Sequence, residues 1–358
     1  MESFLPGLDS SLCQRSLTEL EGKNSPVLSC YKEHGGCGLT VPKRFGGQGC
    51  SAVQLLQIQF ALGSRSPSLA IAANMHNCTV CAIPRSEETE NHLKLIAGEK
   101  LLVASGFADG RASTSIQTPD MKVKKTKGGF LVSGKKKPCS LGRSMDIFTA
   151  SMLLEDGKDK LFSIATIPSH SEGIYIMEFG AKGFLDAAEN VEIILEDVFV
   201  PSENVSTFGE SFNITKELSS AFIWFEIMIS ASYLGVLSAM FEQICDRGRG
   251  DDASRVRALS GVRTCMLALE NIAKEIDNGN LSEYNVSSSL LVRFETQKRI
   301  MECAATIIEE AGGMNFLTDP GFRYMLGVVR ALAYHPPSFR SASKHIDCYE
   351  LGGEFSLP

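Results

Sequence analysis

Seven short segments between residues 101 and 204 decide the fold: LLVASGF (101–107), MKVKK (121–125), GFLVS (129–133), DIFTASMLL (146–154), KLFSIATI (160–167), GIYIMEF (173–179) and NVEIILEDVFV (190–200). They are rich in Val, Ile, Phe, Thr and Tyr, and turn sequences such as TKGG, EDGKD and PSHSEG separate them. Short strands at this spacing are typical of an antiparallel barrel or sandwich. The sequence therefore predicts a middle β domain over residues 101–205, in the form of an antiparallel β-barrel.

The segments on both sides of this domain have helical patterns of apolar residues. Before it, Ser51 is placed to cap a helix over AVQLLQIQFALG (52–63), and SPSLAIAANMHNCTVCAIP (66–84) is apolar nearly all round. After it, four helical patterns cover residues 214–248, 253–277, 283–313 and 319–335. We therefore expect an α+β multidomain chain, with an N-terminal helical domain over residues 1–100 and a C-terminal four-helix bundle over residues 206–358.

The first of the C-terminal helical patterns has small residues along one face. They are Ser230, Ala231, Ser232, Gly235 and Ser238. Because small side chains at helical spacing let a second element approach closely, we expect a tight packing contact on this face.

Composition argues against several classes of protein. The 358 residues have a formal net charge of −7 and a pI near 5.5, unlike a nucleic-acid or anionic-membrane binder. We expect no apolar run of membrane-spanning length. The first residues, MESFLPGLDSSLC, lack the features of a secretory signal, and the eleven cysteines are scattered, so we expect reduced thiols and a cytoplasmic location. Cys78 and Cys81 have no second pair or histidine at zinc spacing, so no metal site is expected.

Four motifs in order resemble those of the acyl-CoA dehydrogenase family of flavoproteins. VPKRFGGQG (41–49) looks like its V-P-x-x-x-G-G-x-G loop, and GGFLVSGKKKPCSLGRSMD (128–146) is similar to its G-x-x-L-x-G-x-K-x-x-I-T-N-G-x-x-A-D. LEDVFVPSENV (195–205) resembles F-x-x-V-x-V-P-x-x-N-x-L, and EEAGGM (309–314) resembles Q-x-x-G-G. The resemblance covers nearly the whole chain. It implies a helical–β–helical subunit in a homodimer or homotetramer, with FAD between the β domain and the helical bundle of a partner subunit.

The resemblance also implies the β-domain side of the FAD site. Ser140 stands where a strand-end Thr or Ser hydrogen-bonds the flavin, with Cys139 beside it and Pro138 in place of a family aromatic. In FADGRASTS (107–115), Phe107 replaces a flavin-contacting Thr. Ser113 stands where a serine hydroxyl contacts the cofactor pyrophosphate or the substrate. The alternative is that Ser113 and Ser140 are ordinary turn residues.

On the helical side, the resemblance implies contacts from the long helix and from EEAGGM. Arg247 and Arg249 are both candidates for the arginine that meets the FAD phosphates across the subunit boundary, since a guanidinium matches phosphate oxygens. Glu309 replaces the family glutamine beside the adenosine. Gly312 and Gly313 match glycines that a cofactor approaches closely, although a helix C-cap would also explain them. Ser338, the predicted cap of a last short helix, is also included in the cofactor site.

The usual catalytic base of the family is missing. In VVRALAYHPPS (328–338), Pro336 takes the place of the family's proton-abstracting glutamate and His335 that of its tyrosine. Glu226, in WFEIMISASYLG, falls one residue past an alternative base position found in some members. A carboxylate in an apolar helix is either a functional group with a perturbed pKa or one half of an ion pair, with Arg255 or Arg263 as the expected partner.

Two histidines are weighed beside this carboxylate. His335 is the second candidate base because imidazole titrates near neutrality, and a charge interaction at a helix end is its alternative role. His76 lies in an apolar helix and is expected to be a satisfied core histidine.

The resemblance therefore implies an FAD-dependent dehydrogenase that oxidises an acyl thioester. Ile223 and Glu226 replace the family's Asp and Arg near the CoA end of the site. A biosynthetic tailoring step on a CoA- or carrier-protein-bound acyl group is therefore expected, with an electron-transfer protein or oxygen as electron acceptor. One alternative is a monooxygenase on the same fold that uses reduced flavin and oxygen to hydroxylate carbon, nitrogen or sulfur. Another is a non-catalytic relative that binds flavin or an acyl group.

Overall fold

The computed structural model describes residues 1–83, 87–110, 118–157, 159–180, 182–210 and 216–357. The N-terminal part consists of helices: α1 Leu8–Cys13, α2 Leu17–Glu21, α3 Val27–Glu33, α4 Ala52–Arg65, α5 Pro67–Ala82 and α6 Glu87–Gly98. Ser51 caps α4 as predicted, because its Oγ accepts from the amide of Gln54 while Gln54 Oε1 accepts from the Ser51 amide. Helix α5 is buried almost all round, which confirms the prediction from its apolar sequence.

The middle part contains strands β1 Val103–Gly106, β2 Met121–Thr126, β3 Gly129–Cys139, β4 Ile147–Asp156, β5 Asp159–Pro168, β6 Ile174–Glu178, β7 Val191–Pro201 and β8 Val205–Glu210. Each of the seven predicted segments overlaps a strand. Strand β8 was not predicted, because its sequence VSTFGE is short and half polar.

These strands form two four-stranded sheets, ordered β1-β4-β5-β8 and β2-β3-β7-β6. The strand pairs are antiparallel except β1 with β4, which is parallel. The expected closed barrel is therefore corrected to a sandwich, since among the described strands no ladder of hydrogen bonds joins one sheet to the other. The sheets share one apolar core that includes Val132, Phe148, Met152 and Val198.

The C-terminal part consists of α7 Lys216–Asp246, α8 Asp252–Asp277, α9 Glu283–Thr318, α10 Pro320–Val329 and α11 Phe339–Glu350, with a 3₁₀ turn at Arg330–Tyr334. The four predicted helical patterns and the short last helix are confirmed. Helix α9 continues beyond its predicted end, and Gly312 interrupts it with a non-helical backbone (φ 75°, ψ 161°). Such a positive φ favours glycine.

Helix α7 lies at the centre of the helical part and packs closely against α4. A Cβ added to Gly235 would lie 2.1 Å from the carbonyl oxygen of Phe60, and one added to Gly63 would lie 2.0 Å from that of Ser232. The two helix backbones therefore touch, which confirms the tight contact predicted from the small residues.

One expectation about helix α7 was wrong. Residues Ser219–Asp246 are long and apolar enough to cross a membrane by length and composition, with a mean hydropathy of 1.5. The other helices cover this stretch, since 83% of its apolar window is buried. A long apolar sequence that other helices cover is expected of a central core helix.

Candidate active site

A fully buried ion pair joins helices α7 and α9. Glu226 comes from the apolar core of α7 and Arg293 from α9, and neither side chain has any exposed surface. Arg293 Nη1 donates to Glu226 Oε2 at 2.9 Å. The expectation that the partner would be Arg255 or Arg263 was wrong, because Arg255 pairs with Asp252 on the surface of its own helix and Arg263 is exposed.

Arg293 also binds the turn that follows α10. Its Nη1 donates to the carbonyl oxygen of Pro337 at 3.1 Å, and its Nη2 donates to the carbonyl oxygens of Leu332, at 3.2 Å, and His335. The planar guanidinium is suited to this task because its donors diverge in a fixed geometry. One arginine thus ties three carbonyls of the turn to the carboxylate of Glu226.

The imidazole of His335 is held by a tyrosine of α7. Its Nε2 lies 2.8 Å from the hydroxyl oxygen of Tyr233, and the rings of Phe225 and Tyr233 meet it edge-on at centroid distances of 6.1 and 5.6 Å. Burial, and then the positive charge of Arg293, lower the pKa of His335 to about 3. The imidazole is therefore neutral at neutral pH, which disfavours a role as a charged group at a helix end.

The environment of Glu226 differs from that of a carboxylate in water. Burial raises its pKa to about 7, and the attraction of Arg293 acts in the opposite direction. Its second oxygen, Oε1, has no hydrogen-bond partner among the described residues. Glu226 and His335, the two predicted catalytic residues, thus lie in one cluster with Arg293 and Tyr233.

Arg293 and Tyr233 were not predicted as site residues from the sequence. Arg293 was visible as the one charged side chain on the buried face of its helix, and Tyr233 as a hydroxyl on the α7 face that also carries Glu226 and Ser230. Such a group has to find a partner in the core, but the sequence did not identify that partner.

A second polar cluster lies at the ends of strands β1 and β3. The buried Lys136 Nζ donates to Asp109 Oδ1 at 2.7 Å and to Ser151 Oγ at 3.0 Å. Ser140, the predicted flavin contact, is buried and its Oγ donates to Asn190 Oδ1 at 2.8 Å. The cluster therefore fixes the strand ends on which the predicted β-side contacts stand.

The other predicted β-side residues differ in exposure. Pro138 is exposed, and Phe107 packs partly buried against the cluster of Phe162, Ile164 and Phe208. Cys139 is fully buried, and burial raises the pKa of its thiol to about 12, so the thiol is not reactive. Ser113 lies outside the described residues.

Of the helix-side residues, only Ser338 adjoins the Glu226 cluster, because it follows Pro337, whose carbonyl oxygen Arg293 binds. Arg247 Nη2 binds Asp319 Oδ2 at 2.7 Å, and Arg249 and Glu309 are exposed. A Cβ added to Gly312 or Gly313 would have nothing within 4 Å. Ser338 caps α11 as predicted, because its Oγ accepts from the Ser341 amide at 3.1 Å.

These residues fit a flavin cofactor in two respects. The backbone at Gly312 and Gly313 is open to a close approach, as a cofactor needs. Arg247 keeps 43% of its side chain exposed, so a phosphate can compete with Asp319 for its guanidinium. The roles of Phe107, Pro138, Cys139, Ser140 and the helix-side residues in cofactor binding stay predictions.

No group of three or more His, Cys, Asp or Glu side chains in the described ranges is arranged to hold a metal ion. His76 is a satisfied core histidine as expected. Its Nε2 lies 3.0 Å from the carbonyl oxygen of Cys37, and its Nδ1 accepts from the Val103 amide at 3.0 Å. Burial lowers its pKa to about 4, so it stays neutral at neutral pH.

Comparisons with known proteins agree with this fold. Residues 17–89 match the family described as "Acyl-CoA dehydrogenase, N-terminal domain". The chain is 35% identical to isobutylamine N-hydroxylase from Streptomyces viridifaciens, with 99% of this chain and 97% of the relative covered. It is 22% identical to mitochondrial isovaleryl-CoA dehydrogenase from Arabidopsis thaliana, with 79% and 72% covered. The structure resembles that of methanesulfinate monooxygenase MsuC from Pseudomonas fluorescens, with a TM-score of 0.82, 17% identity, and 99% and 97% of the chains covered.

Proposed function

Because the chain belongs to the acyl-CoA dehydrogenase family, whose members are flavin oxidoreductases with FAD as cofactor, we propose that it hydroxylates the nitrogen of a small amine. The reaction would be a biosynthetic tailoring step that uses reduced flavin and oxygen. Among the functions predicted from the sequence, a monooxygenase of this kind was the first alternative to acyl-thioester dehydrogenation. Dehydrogenation of an acyl thioester becomes the second candidate, supported by the likeness to isovaleryl-CoA dehydrogenase.

The enclosure of Glu226 is the observation that carries the proposal. A dehydrogenase of this family needs a base within about 3 Å of the substrate's α-hydrogen. Glu226 has no exposed surface and is paired with Arg293, and Pro336 cannot accept a proton. Neither position where the family places its glutamate therefore offers a carboxylate to a thioester, whereas hydroxylation of an amine needs no such base.

The similarity to isobutylamine N-hydroxylase supports the same reaction class. It extends over 99% of this chain at 35% identity, compared with 79% at 22% for isovaleryl-CoA dehydrogenase. The size of the amine is inferred from that relative. A primary aliphatic amine of a few carbon atoms is accordingly the first substrate class to test.

The proposed reaction requires a two-electron donor. FAD, when bound and reduced, supplies the electrons and activates oxygen. One oxygen atom enters the nitrogen–hydrogen bond of the amine to give a hydroxylamine, and the other leaves as water with two protons. The two electrons come from the reduced flavin, which a separate flavin reductase has to regenerate.

The residues of this chain would bind the cofactor and orient the amine. Ser140, Arg247, Gly312 and Gly313 are the groups that would hold the flavin. The nitrogen must be uncharged to react, and a neutral imidazole can accept a hydrogen bond from one of its N–H groups without taking up a proton. His335 is neutral, and its Nδ1 makes no hydrogen bond to the described residues, so we assign it this orienting role.

The proposal is tested by giving the purified protein both kinds of substrate. With primary amines, oxygen and an FAD-reducing system, we expect a hydroxylamine identified by mass spectrometry. A reaction with the reducing system alone is the control for hydroxylation by released peroxide. Under anaerobic conditions without reductant, we expect acyl thioesters to leave the flavin oxidised. Bleaching of the flavin by a thioester, together with no hydroxylamine from any amine, would establish the dehydrogenase instead.

A further inference from the structure

We infer that Arg293 is a positioning residue that fixes the Pro336–Pro337 turn and thereby holds the imidazole of His335 in one orientation against Tyr233. The inference rests on the proposed function only for what His335 does to a substrate. The orientation itself depends on contacts within this chain.

The turn cannot anchor itself through its own backbone. Pro336 and Pro337 have no amide hydrogen, and the amide of His335 is 3.4 Å from the carbonyl oxygen of Leu332, at the long end of hydrogen-bond distances. Three carbonyl oxygens within six residues of the turn are instead bound by the guanidinium of Arg293. This arginine is therefore the main anchor of the turn.

Glu226 allows the guanidinium of Arg293 to be buried in the core. A buried guanidinium without a counter-charge would be strongly unfavourable, and Glu226 Oε2, in its ionised form, supplies that charge at 2.9 Å. The carboxylate thus acts through Arg293 and has no need to touch a substrate. The pair also fixes α7, which carries Tyr233, relative to the turn that carries His335.

Two contacts determine where the imidazole of His335 lies, one to the backbone of this residue and one to its side chain. Arg293 holds its carbonyl oxygen and Tyr233 holds its Nε2 at 2.8 Å. A turn released from Arg293 would carry the partly buried imidazole away from Tyr233 and further into water. The charged and titratable groups of this cluster are Glu226 and Tyr233 from α7 and Arg293 from α9.

The variant Arg293→Lys tests the inference without changing the charge. An ammonium makes at most three hydrogen bonds from one point, so it cannot reach the four acceptors that the guanidinium spans. The double variant Glu226→Met/Arg293→Met removes both charges and leaves no single buried ion. Tyr233→Phe is the matched control, because it removes the hydroxyl bonded to His335 and leaves the anchor intact.

The measurement is the titration of His335 by NMR in protein labelled with ¹⁵N at its six histidines, with His335→Gln to assign the signal. In the wild type we expect the imidazole to stay neutral until the pH falls to its pKa of about 3. In Arg293→Lys we expect the pKa to move toward 6.5 and the Nε2 signal to resemble that of Tyr233→Phe. Because lysine retains the positive charge, such a change reports a loosened turn.

The functional readout is the rate of amine hydroxylation. We expect Arg293→Lys to lower kcat at least tenfold while KM for the amine changes little. A folded Arg293→Lys protein with the wild-type His335 titration and Nε2 signal would overturn the inference, and the double variant gives the same comparison if the lysine variant does not fold. If the wild type forms no hydroxylamine, the proposed function fails, whereas the NMR result still decides the role of Arg293.

Discussion

Glu226 should make the stability of this protein fall as the pH rises toward neutrality. Burial raises the pKa of its carboxyl from 4.5 to about 7, so between these values the folded protein binds a proton that the unfolded chain releases. The resulting stabilisation is fully present below about pH 4.5 and is lost as the pH rises through about 7. At about 1.4 kcal/mol per pH unit, the shift corresponds to about 3 kcal/mol.

The variant Glu226→Gln cannot titrate and should lose this part of the pH dependence. Urea unfolding of wild type and variant at intervals between pH 4.5 and 7 gives the free energy of unfolding for each. We expect the free energy of unfolding of the variant, relative to that of the wild type, to rise by about 3 kcal/mol between pH 4.5 and 7. Glu309→Gln, an exposed glutamate on α9, is the control and should run parallel to the wild type. A difference between Glu226→Gln and wild type that does not change with pH would refute the argument.

Three further predictions concern packing, cofactor binding and assembly. Gly235→Ala should lower the free energy of unfolding by at least about 1–3 kcal/mol, the usual cost of overpacking a core, because its Cβ would lie 2.1 Å from the Phe60 carbonyl oxygen. An unchanged midpoint of thermal unfolding would show instead that the two helices can separate freely. Arg247→Ala should weaken FAD binding by about 1.5–3 kcal/mol, and an unchanged affinity in fluorescence titration would remove this arginine from the phosphate site. The protein should sediment at least as a dimer, since Met314 and Leu317 at the end of α9 are each 69% exposed; a monomer that holds FAD tightly would contradict this.

Local sequence patterns were sufficient to predict most of the elements of the fold. Ser51 and Gln54 form a capping box within four residues, and the predicted strands have their own β-branched and aromatic composition. The closed barrel was a different kind of prediction, because closure depends on which strand edges meet. That pairing involves residues far apart in sequence, and no pattern within a single strand specifies it.

The partner of Glu226 could not be predicted for the same physical reason. The sequence showed that a carboxylate in an apolar helix needs a counter-charge, and this part of the argument was confirmed. Arg255 and Arg263, the expected partners, both lie on α8. Arg293 is 67 residues from Glu226, and only the packing of α9 against α7 brings the two together.

The packing that makes α7 a central core helix also changes what its carboxylate can do. Gly235 and Gly63 bring the backbone of α4 against α7, and α9 supplies Arg293 from another direction. Glu226 has no exposed surface and its Oε2 is held at 2.9 Å by Arg293, so a substrate cannot reach the carboxylate to deliver a proton. A carboxylate beside the family's alternative base position is thereby kept as the counter-ion of a structural arginine. For this reason we assign the substrate-facing role to the neutral imidazole of His335, which can change hydrogen-bond partners without leaving an unpaired charge.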